Sequence, residues 1–181
     1  MKAQNILLLS HGQLENYYLE TIAEDVSCEF LYPVIIKESH QDLNEFYNPT
    51  RRQYDGNKLL KLFNNNSQDD ILKTIGLFSV DLFIPILTYI FGQAIFKGKA
   101  GIVSTYRLRN EQYGMKADEN LLFDRLRKLI IHELGHTFGL VHCYVPSCVM
   151  RSSTYVEELD QKKYRICSKC QEEIDIYKRC L

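Results

Sequence analysis

The chain has 181 residues, of which 45% are hydrophobic and 25% charged, and its formal net charge is −1. This length can bury a sizeable core, and the composition is that of a globular protein, so we expect a single domain. A net charge so close to zero provides no overall attraction to nucleic acid or to an anionic membrane surface, and neither is expected as a partner.

The N-terminal and central apolar segments favour a cytoplasmic protein. Residues 6–9 form an apolar run that is too short for the core of a signal peptide. The longest apolar region, residues 77–96, is interrupted by Asp81, Pro85 and Gln93, so no membrane span is expected. In a reducing cytoplasm, clustered cysteines bind metal ions more often than they form disulfides.

The first part of the chain predicts a parallel β-α-β unit. Residues 5–9 are aliphatic, which is typical of a buried strand. Residues 13–28 carry apolar side chains at near-helical spacing and predict an amphipathic helix. Residues 30–36 are aromatic and β-branched and predict a second strand. This order predicts parallel strands joined by a right-handed crossover.

The middle of the chain predicts a loop followed by alternating elements. Residues 37–56 are polar and predict a loop with at most a short helix. We expect helices at residues 57–63 and 69–75, and then a strand at residues 76–83. Residues 89–108 predict a β-hairpin whose turn is a Lys-Gly-Lys sequence.

A long helix is predicted at residues 118–135, with Asp118 as its N-cap. Leucine and isoleucine recur in it at helical spacing, so one face can pack into the core. This helix leads into the most informative motif of the chain and would hold that motif on a rigid element. After residue 142 the chain is polar and cysteine-rich, with a further helix expected near residues 172–177.

The motif at residues 132–142 has the sequence His-Glu-Leu-Gly-His-Thr-Phe-Gly-Leu-Val-His. On a helix, His132 and His136 lie on the same face one turn apart, so both can bind one divalent ion. Gly139 can take the left-handed conformation that ends a helix, which allows His142 to approach the same ion. Three neutral nitrogens with an open fourth position are the arrangement of a catalytic zinc site.

Glu133 adjoins the first of these histidines and can reach a water molecule bound to the same ion. Bound to zinc, water titrates near pH ~7 instead of ~15.7. We expect Glu133 to accept the proton of this water as general base and to pass it to the leaving amine, while zinc polarises the scissile carbonyl. The alternative is an unrelated surface helix in which these residue types coincide by chance.

Five of the six cysteines follow residue 142. Cys143 and Cys148 form one pair, Cys167 and Cys170 form another, and the separation of the pairs is typical of a four-cysteine structural zinc site. In a tail with little apolar material, zinc binding would supply much of the folding free energy. The alternative is a set of free thiols. Cys28 stands alone in the first half, and we expect it to be a buried, inert thiol.

His142 and Cys143 are neighbours in the sequence but are assigned to different metal ions. Successive side chains of an extended segment point in opposite directions, so the two ions would lie on either side of this backbone. We therefore expect the structural zinc to hold in place the segment that carries His142, the third ligand of the catalytic zinc.

The pattern H-E-x-x-H-x-x-G-x-x-H followed by a methionine is the signature of the metzincin metalloproteases. The methionine here is Met150, eight residues after His142, in the place of the Met-turn that supports the metal site by packing. Together with the cysteine pairs, the pattern closely resembles the archaemetzincins, whose motif joins a metzincin zinc site to a four-cysteine zinc site. Four upstream segments extend the resemblance, namely residues 51–54, 81–85, 91–94 and 104–108.

The resemblance implies a metzincin-like α+β fold. This fold has a twisted mixed sheet with an antiparallel edge strand, a backing helix, an active-site helix and a small C-terminal lobe stabilised by zinc. A single peptidase domain, residues 1–181, would comprise an upper lobe (1–139) with the sheet and active-site helix and a lower lobe (140–181) with the Met-turn and four-cysteine site. The hairpin arm at residues 89–96 would be the edge strand that pairs with a peptide substrate. The alternative is an edge merely protected by a loop.

Several other polar residues invite functional assignments that their spacing does not favour. His11 and His40 lack ligand-like spacing and are expected to be solvent-facing loop residues. Arg51 and Arg52 could bind a substrate carboxylate, but we expect an ordinary solvated pair. In the tail, acidic residues offset the lysines and arginines, so a nucleic-acid-binding module is not expected.

We therefore expect a monomeric zinc metallopeptidase that acts on peptides or proteins and holds two Zn²⁺ ions per chain, one catalytic and one structural. The alternative is a catalytically weak or silent, zinc-stabilised protein that binds peptides, against which the intact Glu133 argues. The sequence leaves open whether cleavage is internal or at an N-terminus. It also does not choose between Tyr144 and Tyr155 as a donor to the oxyanion.

Overall fold

The computed structural model describes residues 4–12, 16–65 and 70–179, in which strands and helices are mixed as expected for the α+β class. The strands are β1 (Asn5–Ser10), β2 (Val34–Glu38), β3 (Tyr47–Asn48), β4 (Gln53–Asp55), β5 (Ile71–Phe78), β6 (Leu82–Ile84), β7 (Leu87–Ile90), β8 (Gly92–Ala94) and β9 (Ala100–Ser104). The α-helices are α1 (Asn16–Phe30), α2 (Gly56–Asn65), α3 (Glu119–Thr137), α4 (Val156–Asp160) and α5 (Ser168–Lys178).

The main sheet has five strands in the order β2-β1-β5-β9-β8. The first four are mutually parallel, and β8 pairs antiparallel with β9 at the edge. The inner strands are covered on both faces, since every residue of β9 and most of β5 are buried. The predicted β-α-β unit and the mixed sheet with an antiparallel edge strand are therefore confirmed; residues 13–15 of the predicted helix lie outside the described part of the chain.

Two clusters of buried apolar side chains cover the two faces of this sheet. The smaller one packs α2 against the sheet, through residues such as Leu59, Phe63 and Ile102. The larger one joins α1, α3 and the sheet to the C-terminal region, which contributes Val149, Met150, Val156, Leu159 and Ile174. The C-terminal region thus packs on the core of the sheet instead of building a separate core.

The middle of the chain departs most from prediction. The helix expected at residues 69–75 is wrong, because residues 71–78 form β5; residue 69 lies outside the described part of the chain. The strand expected at residues 76–83 spans the break between β5 and β6, which belong to different sheets. A strand buried on both faces lacks the alternation of apolar and polar residues, so its apolar spacing also matched a helix.

A second sheet lies partly where a loop was expected. Its order is β3-β4-β6-β7, and β3 and β4 fall within residues 37–56. These strands have only two and three residues, too few to show a period of two in the sequence. The short helix allowed in this region corresponds to a 3₁₀ turn at Asn44–Phe46.

The long helix is confirmed, and the hairpin is confirmed near its turn, where β8 pairs antiparallel with β9. The outer ends of the predicted hairpin differ, because residues 89–90 belong to β7 of the second sheet and residues 106–108 form a 3₁₀ turn. The carboxylate of Asp118 accepts a hydrogen bond from the N–H of Leu121, which is the predicted N-cap, and α3 continues two residues beyond its expected end. The C-terminal helix α5 includes the predicted residues 172–177, whereas the short α4 was not predicted. In the described ranges, none of the helices has the length and apolar character needed to cross a membrane.

Candidate metal centres and active site

Three histidines converge at the C-terminal end of α3. The ligand nitrogens offered by His132, His136 and His142 all lie within 4.8 Å of one another. The first two are one helical turn apart, as their spacing dictates. The third follows Gly139, whose φ of +89° turns the chain back after the helix. The structure thus brings together the three residues that the sequence motif selected.

Backbone hydrogen bonds determine which nitrogen of each ring faces the centre. Nδ1 of His132 lies 2.8 Å from the Val149 carbonyl oxygen, and Nδ1 of His136 lies 2.8 Å from that of Leu140. A carbonyl oxygen only accepts, so each Nδ1 carries the proton and each Nε2 presents a lone pair.

These two Nε2 atoms are only 3.1 Å apart. Burial lowers the pKa of both rings, which disfavours a proton between them. Facing lone pairs repel one another unless a cation is shared, and imidazole nitrogens are good ligands for zinc. The donor set therefore fits a divalent metal ion.

Glu133 is 5% exposed and faces the same cavity as the histidine rings. Burial raises the pKa of its carboxyl group to about 8, and the positive charge of Lys162 acts in the opposite direction. A metal cation at the adjoining histidines would favour the ionised carboxylate further. Gly92 of β8 packs directly against this side chain, since a Cβ at Gly92 would lie 3.0 Å from Glu133 Cγ and Oε1.

A cavity of about 670 Å³ opens beside the three histidines. Strands β7 and β8 form one part of its wall, α3 contributes His132, Glu133 and His136, and residues 152–155 with Leu159 and Lys162 form another part. The hydroxyl group of Tyr89 donates to the Thr154 carbonyl oxygen across the cavity, at 3.3 Å. The edge strand expected from the hairpin arm therefore does line a cleft beside the candidate metal centre.

Four cysteines form a second cluster, with all sulfur atoms within 4.8 Å of one another. The Sγ atoms of Cys143 and Cys167 are 3.8 Å apart and those of Cys148 and Cys170 are 4.0 Å apart, far beyond a disulfide of about 2.05 Å. Four sulfurs bound tetrahedrally at about 2.3 Å from a zinc ion are about 3.8 Å apart. The spacing and donor set therefore fit a closed tetrahedral zinc site.

Burial disfavours the charged form of two thiols in the cysteine cluster. Burial raises the pKa of Cys148 to about 11, and it raises the pKa of Cys170 as well. Backbone N–H groups of Val145 and Cys167 point at the sulfurs of Cys143 and Cys148, each at 3.4 Å, and such donors stabilise thiolates. A metal ion would supply the remaining stabilisation that buried thiolates need.

Residues 148–150 connect the two clusters. The Val149 carbonyl oxygen is the partner of His132, and Val149 follows Cys148 directly. The Met150 carbonyl oxygen accepts the N–H of Cys143 at 3.0 Å, and the fully buried Met150 side chain packs under Gly135 of α3. Met150 thus lies beneath the histidine cluster, as expected for a Met-turn.

Two expectations about single residues are wrong. His11 is 7% exposed and stacks on Phe78, so it is not a solvent-facing residue. It follows β1 directly and enters the core between the sheet and α2. Cys28 is exposed, because it lies off the buried stripe of α1. His40 is exposed, as expected.

Arg51 is not an ordinary solvated residue, although its neighbour Arg52 is exposed. Its guanidinium donates to the carbonyl oxygens of Leu87 and Thr88 at 2.8 and 3.1 Å. Arg51 therefore supports the β7 wall of the cavity, and these donors are committed to the backbone. Arg51 and Arg52 are adjacent in the sequence, and nothing in the sequence indicates that only Arg51 is bound to the backbone of β7.

Lys162 was not predicted as a cavity residue, and the choice between Tyr144 and Tyr155 was left open. Lys162 is 5% exposed and lines the cavity, although the sequence presents it as one of several scattered charges. Tyr155 lines the cavity, whereas Tyr144 is 99% exposed and does not. Of the two tyrosines, only Tyr155 lies where it could contact a bound molecule.

The mixed sheet, the helix-borne histidines and the buried glutamate in a cleft define the class of zinc metallopeptidases. The sequence model of Peptidase family M54 matches residues 13–176. The archaemetzincin of Thermococcus kodakarensis is 32% identical over 175 residues, which are 93% of this chain and 94% of that protein. The archaemetzincin of Methanopyrus kandleri is 36% identical over 155 residues, 85% and 84% of the two chains. The chain therefore belongs to peptidase family M54.

Solved structures agree with this assignment. The crystal structure of the Methanopyrus kandleri archaemetzincin matches with a TM-score of 0.85 and 31% identity, covering 98% of this chain and 97% of that one. A zinc-dependent peptidase from Methanocorpusculum labreanum matches with a TM-score of 0.83 and 30% identity, covering 93% and 99%. The resemblance drawn from the motifs, and the fold it implied, are confirmed.

Proposed function

We propose that this peptidase cleaves peptide bonds at the three-histidine cluster, with one zinc ion held by His132, His136 and His142. The observation that carries the proposal is the pair of Nε2 lone pairs facing each other at 3.1 Å, each fixed by a backbone partner of Nδ1. Zinc bound by these nitrogens would lower the pKa of a water molecule and polarise the scissile carbonyl.

Glu133 acts as the general base in this proposal. Its carboxylate lies on the same helical turn as His132 and faces the same cavity. Within the described residues it makes no hydrogen bond or salt bridge, so its oxygens are available to a water molecule in the cleft. Glu133 accepts a proton from the attacking water and delivers it to the leaving amine.

The substrate lies along β8 as an added strand. Among the described residues, β8 pairs with β9 alone, and it lines the cavity, so its other edge can pair with a peptide backbone. Residues beyond 140 also line this cavity. This arrangement supports a single peptidase domain with an upper lobe, residues 1–139, and a lower lobe, residues 140–181, on either side of the cleft.

The decisive experiment is a peptide-library digest read by mass spectrometry. We compare wild type with Glu133→Gln at matched zinc content, and with Glu157→Gln as an exposed control on α4. Removing the base should lower the cleavage rate by about 10²- to 10⁴-fold, and the control should cleave like wild type. Paired peptides with free and acetylated N-termini separate aminopeptidase from endopeptidase activity.

The outcomes separate the peptidase from its alternative. Equal cleavage by wild type and Glu133→Gln would show that Glu133 is not the base. If the zinc-loaded wild type cleaves nothing across a broad library, the zinc-stabilised peptide-binding protein becomes the better hypothesis.

We propose that Cys143, Cys148, Cys167 and Cys170 hold a second, structural zinc ion. The sulfur separations of 3.8 and 4.0 Å support this site. Metal analysis should give two zinc ions per chain in wild type and one in Cys170→Ser, with two retained in the exposed control Cys28→Ser. A single ion in wild type would contradict the four-cysteine assignment.

A further inference from the structure

Lys162 is a buried lysine in the cavity wall that the proposed chemistry does not use. Its ammonium group donates to the Val149 carbonyl oxygen at 3.2 Å and to the Arg151 carbonyl oxygen. An ammonium has three donors, and no third acceptor is found in the part of the chain that the structure describes. One donor is therefore available on the cavity side.

The charge of this ammonium is also not neutralised by a close partner. Within the described ranges, Lys162 forms no salt bridge. Lysine is rarely buried without a paired anion, and carbonyl oxygens satisfy its donors without cancelling its charge. Glu158 and Glu133 act on this charge without forming a salt bridge to it, and the carboxylate of Glu158 accepts from the N–H groups of Thr154 and Tyr155.

The position of Lys162 relates it directly to the reaction centre. Its ammonium and the Nδ1 of His132 bond the same carbonyl oxygen, that of Val149. The neighbouring cavity walls include Phe91, Leu129 and Leu159, which are apolar. A buried cation among apolar walls, beside the residues that hold the metal, is suited to bind an anionic group of the substrate.

We propose that Lys162 recognises a carboxylate of the substrate residue next to the scissile bond. The inference rests on the proposed peptidase function and specifies its substrate class: peptides with aspartate or glutamate beside the cleaved bond, or with a free C-terminal carboxylate at that place. In either case the available N–H of the ammonium forms a charge-assisted hydrogen bond with the carboxylate.

The test uses isosteric peptide pairs based on one sequence that wild type cleaves. Glutamate is compared with glutamine at each position flanking the cleaved bond, and a free C-terminus is compared with an amide. Wild type should prefer the carboxylate in kcat/KM by about tenfold or more at one position. Lys162→Met should bring this ratio close to one, Lys162→Arg should retain a preference, and the exposed control Lys163→Met should behave like wild type.

The outcomes distinguish recognition from a purely structural tie between Lys162 and residues 149–151. A uniform loss of kcat/KM in Lys162→Met with an unchanged ratio, or no preference in wild type, overturns the proposal. If Lys162→Met does not fold, the carboxylate preference of wild type and that of Lys162→Arg test the proposal instead.

A binding measurement separates failure of this inference from failure of the proposed function. Calorimetry on zinc-loaded Glu133→Gln makes the same carboxylate and amide comparisons without turnover, and it uses a library peptide that binds if none is cleaved. Tighter binding of the carboxylate peptide supports the role of Lys162 even if cleavage is absent, and equal binding overturns it. Absence of cleavage by wild type counts against the peptidase proposal alone.

Discussion

At the scale of single residues, the contact between Gly92 and Glu133 makes the edge strand part of the geometry of the proposed active site. A Cβ at Gly92 would lie 2.8 Å from the Ile102 carbonyl oxygen and 3.0 Å from Glu133 Cγ and Oε1. The Ile102 oxygen belongs to the backbone of the neighbouring strand and cannot move without disturbing the sheet. The close contacts of a Cβ at Gly92 can therefore be relieved only if β8 or the Glu133 side chain moves.

We predict that Gly92→Ala lowers kcat/KM by about 100-fold, because a displacement near 1 Å at the reacting groups is costly. The zinc content should stay at the wild-type value, since none of the proposed ligands is touched. Peptide cleavage and metal analysis on the same samples test this. Gln41→Ala is the control, because the side chain of Gln41 is exposed. Wild-type activity in Gly92→Ala would show that the glutamate is not constrained by this strand.

The sequence identifies candidate site residues when their arrangement depends only on their spacing along one helix or strand. The spacing of His132 and His136 on a helix already determines that their rings share a face. Lys162 and Lys163 are indistinguishable in the sequence, and only the packing of α4 buries one and exposes the other. His11 was misplaced for the same reason, because a polar residue after a strand usually meets solvent and here meets Phe78.

At the scale of elements, prediction succeeded where local signals are strong and failed where burial removes them. Helix α3 has an N-cap, a long apolar stripe and a glycine after its end. Strand β5 is buried on both faces and lacks alternation, so its boundaries and even its type could not be derived from periodicity. The second sheet depends on pairing between short, distant segments, which a single sequence does not show.

A buried lysine shows how the elements fix the site relative to one another. Lys73 of β5 donates to the carbonyl oxygens of Gly98 in the hairpin turn and Thr137 at the end of α3, at 2.7 and 2.8 Å. The N–H of Lys97 also bonds to the His136 carbonyl oxygen at 3.0 Å. A cation near a helix C-terminus is favourable, and here it ties the cleft hairpin to the ligand-bearing helix.

At the scale of the whole molecule, polar contacts attach the C-terminal region to the rest of the fold. Arg125 of α3 is buried and makes two hydrogen bonds of 2.7 Å with Asp160 of α4. Glu29 of α1 accepts from Arg165 and from the N–H of Ile166. These contacts and the shared apolar core hold residues 148–150 under α3, where they contact both the histidine cluster and the cysteine cluster.

This connection predicts that the two proposed metal sites are coupled. The Val149 carbonyl oxygen orients His132, and Cys148 holds the preceding residue within the cysteine cluster. We expect Cys148→Ser to weaken zinc binding at the histidine cluster by about 10- to 100-fold, the usual effect of losing support behind a ligand. Peptide cleavage titrated against buffered free zinc reports this affinity, because only the histidine site affects turnover directly.

The exposed Cys28→Ser serves as the matched control for the loss of a thiol and should keep the wild-type zinc dependence. Circular dichroism must show that Cys148→Ser retains its helices, so that a weaker site is not a consequence of unfolding. If Cys148→Ser loses one zinc ion but its activity responds to free zinc as in wild type, the two sites are independent. The structural ion would then stabilise the tail without holding the segment that supports the catalytic ligands.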